Sequence, residues 1–142
     1  MTLRLTVAAA AIAFVAASSG VTAHHAFSAE FDSERPVKLK GKIVKLELVN
    51  PHAWIHIEVP KEGGGTEEWM IEGGTPTVLM RRGITKDTLP IGAEVIVEGY
   101  QAKDRSTRAN GRDITFTDGR KLFLGSDGTG APRPEGTAAP AK

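Results

Sequence analysis

Apolar and polar side chains alternate in short stretches from Val37 onward, and this period of two is the strongest constraint on the fold. Such a period is typical of β-strands, in which successive residues point to opposite faces of a sheet. The phase changes within the first stretch, because apolar residues fall on odd positions from Val37 to Ile43 and on even positions from Val44 to Leu48. This change predicts a bulge beside Gly41 that bends one long strand, so that it can serve two halves of a barrel.

A second strand is predicted after Asn50-Pro51, since proline lacks the amide hydrogen that a sheet needs. One face of this strand is apolar and carries Ala53, Ile55, Ile57 and Val59. The opposite face has an unusual composition for an outer row, and it carries His52, Trp54, His56 and Glu58.

The remaining elements are shorter. A glycine-rich turn at residues 61–65 leads into a third strand over residues 67–72. Thr75 as N-cap, Pro76 at the first helical position and Gly83 as a stop predict one short helix. A fourth strand follows over residues 94–100, and residues 111–124 form a last hairpin or a bent fifth strand.

This order of elements predicts a mainly β fold, a five-stranded OB-like barrel with one short helix between strands 3 and 4. Closure of the sheet would remove exposed strand edges, which a small sheet otherwise has to protect. The alternative is a small open β-sandwich with the helix at its end.

The two ends of the chain differ in composition from the middle. Arg4, an alanine-rich apolar run and the small residues up to Ala23 predict a signal peptide over residues 1–23, too short to span a membrane. An N-terminal arm is predicted over residues 24–35, the barrel domain over 36–124, and a disordered tail rich in Gly and Pro over 125–142. The mature protein is therefore expected to be periplasmic or secreted, with no membrane span after cleavage.

Charge and cysteine content exclude several kinds of site. The chain has 18 basic and 17 acidic side chains, and removal of the predicted leader takes away Arg4 alone. The balanced charge that remains argues against nucleic acid as a partner, because phosphate neutralisation requires clustered Lys and Arg. The absence of cysteine excludes thiolate nucleophiles, iron–sulfur clusters and zinc–thiolate sites.

Seven short strings carry a resemblance to a known family. They are residues 24–32 (HHAFSAEFD), 39–41 (LKG), 50–55 (NPHAWI), 72–76 (EGGTP), 81–83 (RRG), 97–100 (VEGY) and 118–123 (DGRKLF). Together they resemble a family of small secreted bacterial proteins catalogued as domain of unknown function 6152. The resemblance covers nearly the whole predicted mature domain and implies a periplasmic OB-like domain, without implying an activity.

All four histidines lie in two short stretches, His24-His25 and His52 with His56. Cleavage after Ala23 would leave His24 with a free α-amino group beside its imidazole, a pair that chelates Cu(II) and needs at least one more nitrogen. Because strand residues four apart lie about 13 Å from each other, His52 and His56 cannot bind the same ion. The predicted metal ligands are His24, His25 and His52, with copper as the candidate ion.

A second group of residues predicts a ligand groove, because OB barrels commonly bind ligands on the face of strands 2 and 3. Its members are Trp54, His56, Tyr100 and Arg108, the last in a basic stretch suited to an anionic ligand such as a sugar acid or phosphate. Trp69 is assigned to the core, and the acidic side chains, Glu72 among them, to solvated strand positions. The simplest alternative is that the histidines belong to a solvated arm or pack against Phe27 and Phe31.

Three functions remain open. The favoured one is a non-enzymatic periplasmic binding or accessory module for an unknown small ligand or envelope protein. The second is a copper-binding protein that uses His24, and the third is an enzyme of unknown reaction. No catalytic residue is assigned, because no complete catalytic site can be assembled from the residues present.

Overall fold

The computed structural model describes residues 27–125 of the chain. The predicted signal peptide, the histidines at 24 and 25, and the predicted tail from residue 126 onward lie outside these residues. Within the described part, no helix is long and apolar enough to cross a membrane.

The first strand, β1 (Phe31–Glu47), is the longest and pairs with strands on both of its sides. The register of β1 against its neighbour shifts between Ile43 and Lys45, which confirms the predicted bulge where the apolar pattern changes phase. Gly41 lies just before it, and a Cβ atom at that position would collide with the carbonyl oxygen of Glu58. Glycine therefore permits a close approach of the two strand backbones there.

The elements after β1 follow the predicted order with one addition. They are β2 (Trp54–Pro60), β3 (Thr66–Glu72), a helix, β4 (Glu94–Ala102), β5 (Arg108–Phe116) and β6 (Lys121–Phe123). The described residues thus form six strands instead of five, because the chain after β5 turns back as a hairpin and does not continue as one bent strand.

The start of β1 also differs from the prediction. Residues 27–30 are helical and form α1, and β1 begins at Phe31, within the segment predicted to be an arm. Phe31 is apolar, only 3% exposed, and opposite Ala102 of β4. The register then shifts before Pro36, so the polar residues between them interrupt the alternation that defined the strand in the sequence.

The helix between β3 and β4, α2 (Pro76–Arg81), has the predicted local structure. The Thr75 side chain accepts a hydrogen bond from the Val78 amide, and Pro76 lies in the first turn. Gly83 follows with a φ of 79°, a left-handed conformation that favours glycine after a helix.

All six strands belong to one sheet in the order β3-β2-β1-β4-β5-β6, and neighbours in this order are antiparallel. This single sheet differs from the two packed sheets of the alternative sandwich. One further pairing joins β3 to β5 in parallel, with Met70, Ile71 and Glu72 opposite Arg108, Ala109 and Asn110.

The hydrophobic core lies on one face of this sheet. Residues from every strand except β6 contribute fully buried side chains, and α2 adds Leu79. The largest fully buried residues are Ile43, Ile55, Ile57, Ile71, Leu79, Ile84, Leu89, Ile114 and Leu124. Trp69 is 7% exposed within this core, which confirms its assignment from the sequence.

Candidate functional site

Four side chains form a row on the sheet face opposite the core, which we call the outer row: Trp54, Glu72, Asn110 and Tyr100. Pairing places Trp54 of β2 opposite Glu72 of β3, Glu72 opposite Asn110 of β5, and Asn110 opposite Tyr100 of β4. Directly opposed residues point to the same face of a sheet, so the row crosses four strands. Glu72 and Asn110 are buried despite lying away from the core, at 6% and 2% exposure.

The first residues of the described chain cover part of the outer row. Phe27 stacks on Phe31 with ring centres 5.9 Å apart and meets the edge of Tyr100 at 5.7 Å. These rings form a small hydrophobic cluster with Ala102, separate from the main core. The Lys103 amide donates to the Glu30 carbonyl at 2.9 Å, so both side chains and backbone hold this segment on the sheet.

Arg108 joins the covering segment to the outer row. Its guanidinium carbon lies 5.5 Å from the centre of the Trp54 ring and 6.0 Å from that of Phe31. Its Nη2 donates to the Glu30 carboxylate at 2.8 Å, and the Glu30 side chain is 59% exposed. Arg108 therefore lies between two aromatic rings, where cation–π attraction fixes a planar cation, and pairs with a solvent-accessible carboxylate.

Glu72 carries the buried charge of the site. Burial raises the pKa of its carboxyl above the ordinary value of 4.5, and the charge of Glu30 acts in the same direction. Contact with His52 and a hydrogen bond from the Asn110 side chain oppose the shift. The Asn110 Oδ1 atom is itself buried without a hydrogen-bond partner among residues 27–125.

His52 lies beside this carboxyl, two residues before the first residue of β2. Its Nδ1 is in direct contact with Glu72 Oε1. Because an ionised carboxylate only accepts hydrogen bonds, this contact assigns the proton of a neutral His52 imidazole to Nδ1. The lone pair is then on Nε2, for which nothing in the described part of the chain provides a partner, and the side chain is 31% exposed.

His56, four residues after His52 and within β2, has a different environment. Its Nδ1 is 2.6 Å from a Glu68 oxygen and its Nε2 is 3.0 Å from a Glu47 oxygen. A hydrogen bond from Lys45, followed by the one from His56, lowers the pKa of Glu47. The ring is 5% exposed and links β1, β2 and β3 through carboxylates on both nitrogens, so neither nitrogen is available to a ligand.

The residues predicted from the sequence divide accordingly. Trp54, Tyr100 and Arg108 lie together around the covering segment, whereas His56 is bound by its two glutamates. His52 contacts the carboxylate of Glu72 and has no contact with Arg108 among those described above. His24 and His25 fall outside the described residues. Across residues 27–125, no group of three or more His, Cys, Asp or Glu side chains could hold a metal ion by itself.

Sequence reasoning missed two members of the site, and one of them was assigned wrongly. Glu72 was expected on a solvated strand position and is buried, although it lies on the face of β3 away from the core. Asn110 was not singled out at all. The alternation in β3 does place Glu72 away from the core, but the parallel register that sets Asn110 opposite it joins distant parts of the chain and leaves no local pattern.

A comparison with protein families identifies a match for this chain. A family described as "Family of unknown function (DUF6152)" matches residues 10–111. No curated protein and no solved structure matches the chain.

Proposed function

The chain belongs to the DUF6152 family of unknown function, and we propose that it is a periplasmic, non-enzymatic binding module for a small anionic ligand. The ligand site is the outer row together with Arg108. The leader predicted over residues 1–23 supports the periplasmic location.

The observation that carries this proposal is the position of Arg108 between Trp54 and Phe31. A guanidinium fixed in this way presents donors that match a carboxylate or phosphate group. Its present partner, Glu30, is a mostly exposed carboxylate from the covering segment, which an incoming anion can replace. The carboxylate of Glu30 thus occupies the position that we assign to the ligand.

A buried acceptor atom of Asn110, next to Arg108 on the same face of β5, supports a ligand that also carries hydrogen-bond donors. Asn110 lies two residues after Arg108 on β5, so the two side chains share a face. Its buried Oδ1 has no partner in the described part and would accept a hydrogen bond from a hydroxyl group. A sugar acid combines such hydroxyls with a carboxylate.

We further infer that the sheet closes into an OB-like barrel. The parallel pairing of β3 with β5 supports closure, because it gives a second neighbour to the strand that would otherwise end the sheet. In such barrels the face of strands 2 and 3 is a common ligand surface, and here that face carries Trp54 and Glu72.

Thermal melting in the presence of glucuronate, galacturonate, acetate and inorganic phosphate tests the proposed function. We expect at least one of these anions to raise the melting temperature of the wild-type protein, because a ligand that binds only the folded state stabilises it. Arg108→Ala should weaken the binding of that anion by about tenfold or more, since a charged hydrogen-bond donor is lost. Glu30→Gln should strengthen its binding, because the competing carboxylate is removed.

Arg120→Ala is the matched control, because Arg120 pairs with Asp118 at the turn before β6 and lies away from the outer row. It should bind the anion as the wild type does. If none of the four anions stabilises the wild type or Glu30→Gln, or if Arg108→Ala binds as tightly as the wild type, the proposed function is wrong.

A further inference from the structure

We propose that the ligand of the site formed by the outer row and Arg108 is an aromatic carboxylic acid, whose ring replaces that of Phe27 and whose carboxylate replaces that of Glu30. This inference rests on the proposed function and narrows the anionic ligand to one chemical class. It also assigns a role to α1 (residues 27–30), which is an internal competitor that the ligand displaces from the site.

Two side chains of α1 occupy the site, and each carries a group that a small ligand can also carry. The ring of Phe27 stacks on Phe31 with planes inclined by 30°, and it meets the edge of Tyr100. The Glu30 carboxylate accepts a hydrogen bond from Nη2 of Arg108. The chain therefore fills its own site with one aromatic ring and one carboxylate.

The positions of these two groups are adjacent to the same ring of β1. The centre of the Phe31 ring is 5.9 Å from that of Phe27 and 6.0 Å from the guanidinium carbon of Arg108. Phe31 pairs with Ala102 of β4, so it belongs to the sheet and remains as a wall of the site when α1 leaves. A ring joined to a carboxylate by a few methylene groups can reach from one position to the other.

The walls of the ring position favour an aromatic group over a saturated one. Tyr100 meets the Phe27 ring edge-on, with the planes 86° apart. Stacked and edge-to-face pairs of aromatic rings are stabilised by their quadrupoles in addition to the area that they bury, and a saturated ring lacks this attraction. A phenolic hydroxyl would also provide a donor for the buried Oδ1 of Asn110, as a sugar hydroxyl would.

The contacts of α1 allow its displacement without damage to the main core. Residues 28–30 are exposed, and Phe27 packs in the small cluster that is separate from that core. Lys103 contacts the α1 backbone twice, through its amide to the Glu30 carbonyl at 2.9 Å and through Nζ to the Ser28 carbonyl. An aromatic acid that binds Arg108 thus competes with surface contacts alone.

Isothermal titration calorimetry of the full-length protein tests the ligand class with acetate, phenylacetate, phenylpropionate and phenylbutyrate, a series that varies the distance between ring and carboxylate. We expect at least one aromatic acid to bind about tenfold more tightly than acetate or better, because its ring adds contacts with Phe31 and Tyr100. Its cyclohexyl analogue, which lacks the aromatic ring, and its amide, which lacks the charge, should both bind about threefold more weakly or worse.

Two variants separate the ring position from the anion position. Phe27→Ala vacates the ring position, so its gain in affinity for the aromatic acid should exceed its gain for acetate by about threefold or more. Glu30→Gln vacates the anion position, so it should raise both affinities by the same factor. Tyr100→Leu should abolish the preference for the aromatic acid over its cyclohexyl analogue, whereas Tyr100→Phe should keep it.

Phe123→Leu is the matched control, because it removes a phenylalanine that packs against a different arginine, Arg82, and it should leave every affinity at its wild-type value. The proposal is overturned if no aromatic acid binds more tightly than acetate, or if Phe27→Ala and Phe123→Leu have equal effects. If acetate or a sugar acid still binds in that case, only the ligand class is wrong. If no carboxylate or phosphate binds to the wild type, Phe27→Ala or Glu30→Gln, the proposed function is wrong as well.

Discussion

Glu72 is the residue at which burial and charge conflict most directly. It lies on the face of β3 that points away from the core, yet it is only 6% exposed. Its carboxyl therefore gives up hydration that a solvated strand residue would keep, and its pKa rises for that reason. The contact with His52 compensates part of this cost.

A raised pKa makes stability depend on pH with a defined sign. The folded state holds the Glu72 proton more tightly than the unfolded state, whose carboxyl titrates near the ordinary value of 4.5. The contribution of Glu72 to stability is therefore fully present below pH 4.5 and is lost as the pH rises through the raised pKa. As the pH rises over this range, the free energy of unfolding of Glu72→Gln should fall less than that of the wild type. Urea unfolding at a series of pH values measures both.

Glu58→Gln is a suitable control for this measurement, because Glu58 is an exposed carboxyl on the neighbouring strand. Its unfolding curves show the effect of removing an exposed carboxyl outside the contact between Glu72 and His52. A constant difference between Glu72→Gln and the wild type at every pH would contradict the assignment of a raised pKa to Glu72.

At the residue scale, the sequence predicts which face a side chain occupies better than it predicts whether that face is covered. Trp69 is in phase with Ile71, and both are in the core as expected. Glu72 alternates with these two residues, so it lies on the opposite face of β3 and was expected to be exposed to solvent. Contacts on that face, such as those of Phe27 with Phe31 and Tyr100, are tertiary and leave no periodic pattern in the sequence.

At the scale of secondary-structure elements, the bridge through His56 joins the first three strands. Its Nδ1 contacts Glu68 of β3 on one side, and its Nε2 contacts Glu47 of β1 on the other. It lies just past the bulge of β1, where the register has shifted. This bridge therefore connects strands where the ladder of β1 and β2 is irregular.

Loss of this bridge should destabilise the fold. We expect His56→Gln to lower the free energy of unfolding by about 1–3 kcal/mol, because a buried ring with two hydrogen bonds is replaced by a side chain that cannot reach both partners. Urea denaturation at neutral pH measures the change. Glu58→Gln, on the exposed part of the same strand, should change stability by less than about 0.5 kcal/mol; equal effects of the two substitutions would argue that His56 makes no structural contribution.

Elements with local patterns were predictable, and those fixed by distant partners were not. The bulge of β1 follows from the change of phase at Ile43, and α2 follows from Thr75, Pro76 and Gly83. The early start of β1 was missed because only Phe31 in that stretch pairs with β4 before the register shifts. The chain around His56 gave no indication that glutamates of two other strands would occupy both ring nitrogens.

At the scale of the whole molecule, the parallel pairing of β3 with β5 joins segments almost forty residues apart in the chain. The Met70 amide donates to the Thr107 carbonyl at 2.9 Å next to this pairing. If the sheet is closed as we infer, that amide is protected from solvent. If β3 were a bare edge, the amide would face water.

Amide hydrogen exchange followed by nuclear magnetic resonance distinguishes these cases. We expect the Met70 amide to exchange at a rate comparable to that of amides in the β1–β4 ladder, because its opening requires separation of β3 from β5. The Gly63 amide, in the exposed turn after β2, is the fast-exchanging reference. Exchange of Met70 at the rate of Gly63 would rule out a stable closure.

The order of strands was accessible from the sequence, but the register that assembles the site was not. Alternation and turn residues predicted the succession of strands with one helix between β3 and β4. The outer row, by contrast, exists because Glu72 lies opposite Asn110 and not opposite its neighbour, and a shift of one residue would exchange every side chain between the two faces. Only three paired positions fix this register.

The chain contains two tryptophans, and they occupy unlike places: Trp69 is in the core with its indole N–H bonded to Glu67, and Trp54 lies under Arg108 on the outer face. Their fluorescence therefore carries two separate signals. We expect emission from Trp69 to report global unfolding, and emission from Trp54 to report displacement of Arg108 and the segment that carries Phe31. Variants with a single Trp→Phe replacement would allow each event to be followed by the fluorescence of the remaining tryptophan, without attachment of a dye.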